Sequence, residues 1–192
     1  MSQTIEIEFK NLLNMEEFNR MVSSFQLRND QFIEQINHYF DSNSFALKNK
    51  GCALRIREKK SQYELTLKQP QPDGLLETNQ NLTDQEAEAF INGGQLKEGA
   101  VKSQITALGI DSAQLVYFGT LTTERAELTY HNGLLVLDKS SYLNTIDYEV
   151  EYEVINREQG LPIFLALLSQ LNIPVRQTKN KVQRFYERKI ND

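Results

Sequence analysis

The chain has 192 residues, enough for one domain with a sizeable core, and its 40% hydrophobic and 24% charged residues are ordinary for a globular protein. A net charge of −5 gives no global basic field for nucleic acid or an anionic membrane. One cysteine, Cys52, excludes an internal disulfide, and the absence of an N-terminal basic-then-apolar signal fits a cytoplasmic protein.

The opening stretch QTIEIEFK (3–10) alternates Ile5, Ile7 and Phe9 with Glu6, Glu8 and Lys10, which is the period of a strand. Residues 14–27 carry Met15, Phe18, Met21, Val22 and Phe25 at helical spacing, with Asn14 as N-cap. A strand follows over 31–40. ALRIREKK (53–60) and QYELTLKQ (62–69) predict a tight hairpin around Ser61, and LLETNQN (75–81) a further strand after a turn at QPDG. Thr83 and Glu86 form a capping box before a helix that Gly93-Gly94 ends, and a short helix over 100–108 stops at Gly109. Strands return over 113–130, 134–141 and 145–154, the first two joined by a turn at His131-Asn132-Gly133. An apolar helix over 158–171, too short to span a bilayer, and a basic helix over 178–189 close the chain. Short connections favour antiparallel pairing, and closure into a barrel would remove the sheet edges, although an open α+β sheet fits the same string.

Several strands have one apolar and one densely charged face. Leu54 and Ile56 alternate with Arg55 and Arg57; Leu65 and Leu67 with Glu64, Thr66 and Lys68; Val150, Tyr152 and Val154 with Glu149, Glu151 and Glu153. A solvated outer face explains any one of these. The blocking by sign points further: acidic at 6–8 and 149–153, basic at 55–57. Like charges in a block repel, and each block is suited to a ligand of opposite sign. Carboxylates bind hard cations such as Mg²⁺ or Mn²⁺, and guanidinium forks match phosphate oxygens. Together they describe a metal-dependent site for a chain of phosphates inside a barrel.

The motif Glu6-X-Glu8-X-Lys10 resembles the signature of the CYTH superfamily, the triphosphate tunnel metalloenzymes. The resemblance continues in order through QINHYFD (35–41), LRIR, ELTLK, TER, LVLD, YEVEYE and NKVQRF, from residue 3 to about residue 187. It implies an α+β, β-rich fold: an eight-stranded antiparallel tunnel barrel with flanking helices, occupying 1–192 as a single domain. It implies a metal side of Glu6, Glu8, Asp138, Glu149 and Glu151, and substrate binding by Lys10, Arg55, Arg57, Lys68, Arg125, Lys181 and Arg184. Glu6, Glu8, Lys10 and Lys68 form the implied catalytic set. Glu153 competes with Glu149 for its place, and Lys179 with Lys181; Glu64 is a further candidate, and Tyr39 and Asp41 receive no role.

The implied activity is hydrolysis of a small-molecule triphosphate, inorganic tripolyphosphate or thiamine triphosphate first. The alternatives are a class IV adenylyl cyclase that makes cyclic AMP, and a non-catalytic polyphosphate-binding module. Neither a membrane nor nucleic acid is an expected partner; a homodimer is left open. His38 and His131 have no partners at metal-ligand spacing, and Gly93-Gly94 lacks the surroundings of a phosphate loop.

Overall fold

The computed structural model describes residues 2–72 and 74–191, with Asn191 described by its backbone alone; Asp73, in the turn expected at 71–74, lies outside the described residues. Eight strands run in chain order: β1 (Ser2–Leu13), β2 (Ile33–Ser42), β3 (Ala53–Lys59), β4 (Gln62–Gln71), β5 (Gly74–Leu82), β6 (Leu115–Tyr130), β7 (Gly133–Tyr142) and β8 (Thr145–Val154). Five helices accompany them: α1 (Met15–Ser24), α2 (Asp84–Ile91), α3 (Ala100–Ala107), α4 (Arg157–Gln170) and α5 (Lys181–Asn191). The strands form a closed antiparallel barrel in the order β1-β5-β4-β3-β2-β6-β7-β8, which excludes the open sheet.

Local chemistry explains most boundaries. Asn14 and Glu17 form a reciprocal capping box at α1, as Thr83 and Glu86 do at α2. Lys60 and Ser61 both adopt positive φ (51° and 57°), the pair of left-handed residues that a two-residue hairpin turn needs. The expected strand at 31–40 begins later, because Asn29–Gln31 form one 3-10 turn ahead of β2. The basic helix expected from 178 begins at Lys181.

By packing, the chain divides into two compact units, Met1–Ile5 with Gln35–Leu121, and Glu6–Glu34 with Thr122–Asp192. In the first, Phe40, Leu54, Ile56, Leu65 and Leu67 from the strands pack against Ala87 and Phe90 of α2 and Val101 and Ile105 of α3. In the second, Phe9, Leu135, Leu137, Val150 and Tyr152 pack against Phe18 and Met21 of α1 and Phe164, Leu167 and Leu168 of α4. Each buried side chain of this size contributes roughly 1.5–3 kcal/mol. In both units the apolar strand faces lie under helices and are therefore the outer faces of the barrel. By the period of two, the charged residues occupy the inner faces.

Candidate active site

The carboxylates of the second unit meet on β7 and β8. Register sets Asp138 opposite both Arg125 of β6 and Glu149 of β8. The Arg125 guanidinium donates to Asp138 through both arms, Nε to Oδ1 at 2.8 Å and Nη2 to Oδ2 at 2.6 Å, and Nη2 reaches Glu151 Oε2 at 2.9 Å. Lys181, at the start of α5, places Nζ 2.7 Å from Glu149 Oε1, 2.6 Å from Glu151 Oε1 and 2.8 Å from Asp138 Oδ2. Arg184, one turn along α5, donates Nε to Asp147 Oδ2 at 2.8 Å and sits with Nη1 2.6 Å from Glu149 Oε2. Asp138, Glu149 and Glu151 are all buried. Lys179 points elsewhere: it is largely exposed and pairs with Glu187. The lysine on the carboxylates is Lys181.

The segment before α5 is fastened to β1. Asn11 donates to the Pro174 carbonyl at 3.1 Å and accepts from the Arg176 amide at 2.6 Å; the Leu12 amide donates to Thr178 Oγ1 at 2.9 Å. Arg176 forks onto Glu17 of α1 at 2.7 and 2.8 Å. This latch delivers Lys181 and Arg184 to β8. Its partners are far apart in sequence, so no local pattern announces it. Beside Arg184, Tyr142 at the end of β7 donates its hydroxyl to Asp147 Oδ2 at 2.5 Å, five residues on across the β7–β8 turn.

The electrostatics of the inner face are uneven. Burial pushes Glu149 up to about 7, against the charges of Lys181 and Arg184 and with that of Glu151. Burial also works to raise Glu151, but Lys181 and Arg125 outweigh it and hold that carboxyl well below the usual range. For Lys181, burial opposes the charge, and Asp138, Glu149 and Glu151 overcome it, so its pKa is raised. Burial likewise opposes the Lys10 ammonium, yet Glu8, with which it forms an ion pair, and then Glu151 and Glu149 raise its pKa.

Glu153 stands directly opposite Glu8 across β1 and β8, with Glu6 on the same face of β1. Burial first, then Glu6, pushes Glu153 up to about 7, with smaller additions from Glu151 and Glu8 against the pull of Arg125. Negative charge is in surplus there, and a hard divalent cation with oxygen ligands fits that donor set. Among the described residues, no three acidic, imidazole or thiol groups already converge in metal-binding geometry. Asp138 in particular is engaged by Arg125 and Lys181.

In the first unit, the charged face of β3 and β4 carries the cations. Arg55 stands opposite Tyr39 and Thr66, Arg57 opposite Asn37 and Glu64, and Lys68 opposite Glu77. Arg57 Nε donates to Asn37 Oδ1 at 3.2 Å, and Lys68 lies 2.5 Å from Glu77. Asp41 accepts from the amides of Ser42, Leu47 and Lys48 and so shapes the loop after β2. His38 lies on the other face of β2, opposite Ile56, with Nδ1 3.0 Å from Thr120 Oγ1, and burial lowers its pKa.

Known proteins resemble this chain in sequence and fold. The CYTH domain family model matches residues 4–186. A Bacillus subtilis (strain 168) protein, "Putative triphosphatase YjbK", is 51% identical over 189 residues, covering 98% of each chain. The crystal structure of "a putative adenylate cyclase" from Bacillus halodurans is 44% identical, covers 97% of this chain and 100% of that one, and superposes with a TM-score of 0.94. HpAC1 from Hippeastrum, whose structure was described with a dominant triphosphatase activity, shares the fold at 21% identity and a TM-score of 0.78, covering 95% of this chain and 96% of that one. With its charged inner faces and a family match over nearly its whole length, the chain belongs to the CYTH domain family.

Proposed function

We propose that this protein is a metal-dependent triphosphate hydrolase with a small phosphoric anhydride as substrate, inorganic tripolyphosphate or thiamine triphosphate. The observation that carries this reading is the burial of paired charges on the inner faces: Asp138, Glu149 and Glu151 are at most 6% exposed, with Arg125 and Lys181 upon them. Buried ion pairs add little net stability over a well-packed apolar core, so their presence favours a role in binding. The 51% identity to YjbK supports the same chemistry.

In this reading Arg55 and Arg57 grip phosphoryl oxygens, and Lys10 and Lys68 offset charge on the leaving phosphate. Glu6, Glu8 and Glu153 would hold Mg²⁺ or Mn²⁺, which when bound polarises phosphoryl oxygens. Arg125 holds Asp138 and Glu151 in place. The 44% identity to the Bacillus halodurans protein favours a second reading, cyclisation of ATP to cyclic AMP. A product-resolved assay of tripolyphosphate, thiamine triphosphate and ATP, with and without Mg²⁺ or Mn²⁺, separates the two. Metal-dependent release of orthophosphate supports hydrolysis; cyclic AMP as the main product replaces it with the cyclase.

A further inference from the structure

Three residues stand in one unbroken cross-strand row on the inner face of the first unit. Arg55 of β3 is directly opposite Thr66 of β4, which is directly opposite Asn79 of β5. Each carries a buried polar atom with no hydrogen-bond partner among the described residues: Arg55 Nε, Thr66 Oγ1 and Asn79 Oδ1. Thr66 is 1% exposed, between Leu65 and Leu67, which point to the opposite face and are wholly buried in the core. On the same face of β2, Gln35 is also 1% exposed, and both of its amide atoms lack partners.

Buried polar atoms without partners are uncommon in folded proteins, and each one costs stability. One such atom is an accident of packing. Here three lie in adjacent cross-strand positions, all on the face that carries the cations, where one polar ligand could satisfy them together. The neighbouring Lys68 is already countered by Glu77, and Arg57 Nε is already bonded to Asn37. The row beside them contains one cation and two neutral groups. The hydroxyl of Thr66 can donate to an oxyanion, and so can the amide of Asn79, whose oxygen and nitrogen exchange places by a half-turn.

We propose that Thr66 and Asn79 contact the phosphoryl oxygens of the substrate and, with Arg55 Nε, fix the orientation of one phosphoryl group. This rests on the triphosphatase reading above and adds two neutral residues to the substrate-binding set. Charge alone draws a polyanion to the arginines and lysines. Neutral donors at fixed positions add direction without adding charge, and so favour one tetrahedral placement over others.

The test compares Thr66→Val, Thr66→Ser and Asn79→Leu with wild type and Arg55→Ala. Each protein is measured without ligand for melting temperature, then with Mg²⁺ and tripolyphosphate for dissociation constant and kcat/KM. Valine keeps the shape of threonine and removes the unpartnered hydroxyl, so Thr66→Val melts at or above the wild-type temperature. Its tripolyphosphate affinity falls about tenfold, the effect of one lost hydrogen bond to a charged group. Asn79→Leu behaves alike, and Thr66→Ser retains wild-type affinity. If Thr66→Val and Asn79→Leu bind tripolyphosphate as wild type does while Arg55→Ala does not, the neutral residues have no substrate role and the inference is overturned alone. If Thr66→Val melts lower with unchanged affinity, the hydroxyl serves the fold and the inference is equally overturned. If wild type itself binds neither tripolyphosphate nor thiamine triphosphate, the triphosphatase reading falls and this inference with it.

Discussion

Two inward arginines differ in their contacts. Arg55 presents a buried Nε without a partner among the described residues, whereas Arg125 is spent on Asp138 and Glu151. Arg55→Ala should therefore lower kcat/KM for tripolyphosphate by about 1.5–3 kcal/mol in transition-state terms and leave the melting temperature of the empty protein unchanged or slightly higher. Arg55→Lys should recover part of the loss, because lysine keeps the charge but not the fork. Arg125→Ala should instead destabilise the protein by roughly 3–5 kcal/mol in urea unfolding, since it strips the main counter-charge from a wholly buried Asp138. Equal effects of the two substitutions on stability would contradict this division. The sequence alone makes both arginines candidates for phosphate binding. It cannot separate them, because the partner of Arg125 is chosen by the β6–β7 register.

At the scale of elements, α4 lies on β8 with no room to spare. A Cβ at Gly160 would stand 2.8 Å from Val154 Cγ1 and 3.0 Å from the Phe9 ring. Gly160→Ala should cost about 1–3 kcal/mol by pushing the helix off the strands, despite alanine's better helix propensity; a rise in melting temperature would refute the close approach. The Glu17–Arg176 latch gives a pH signature. Hydrogen bonds from Arg176, aided by the Asn14 amide and opposed by burial, lower the Glu17 pKa. A carboxylate with a depressed folded pKa contributes its stability in full above the unfolded value, near 4.3, and loses it as pH falls through the folded one. Wild type should thus exceed Glu17→Gln by about 1–2 kcal/mol at pH 7, and the gap should shrink as the pH falls below the unfolded value; a gap that persists undiminished in strong acid would mean that glutamine fails through packing. The latch also explains why α5 starts three residues later than its basic composition suggests. Asn11, Leu12 and Glu17 hold parts of the segment before Lys181 out of the helix, through contacts some 160 residues away in sequence.

For the whole molecule, alternation is the legible signal. Strand existence, the charged faces and the caps at Asn14 and Thr83 follow from residue periods and side-chain chemistry within a few positions. Ring order does not: β1 neighbours β5, and β2 neighbours β6, through pairings between strands far apart in sequence. Nor is the place of Glu153 legible among three alternating glutamates. Its position opposite Glu8 depends on the β1–β8 register, which decides where the negative charge accumulates. A crystal of the protein soaked with Mn²⁺ and tripolyphosphate, measured at the manganese edge, tests the ligand role of the inner faces directly. The expected result is an anomalous peak at the carboxylates of β1 and β8, among Glu6, Glu8 and Glu153, with phosphate density on Arg55 and Arg57. Manganese and phosphate confined to outer surfaces, with both inner faces unchanged, would contradict it.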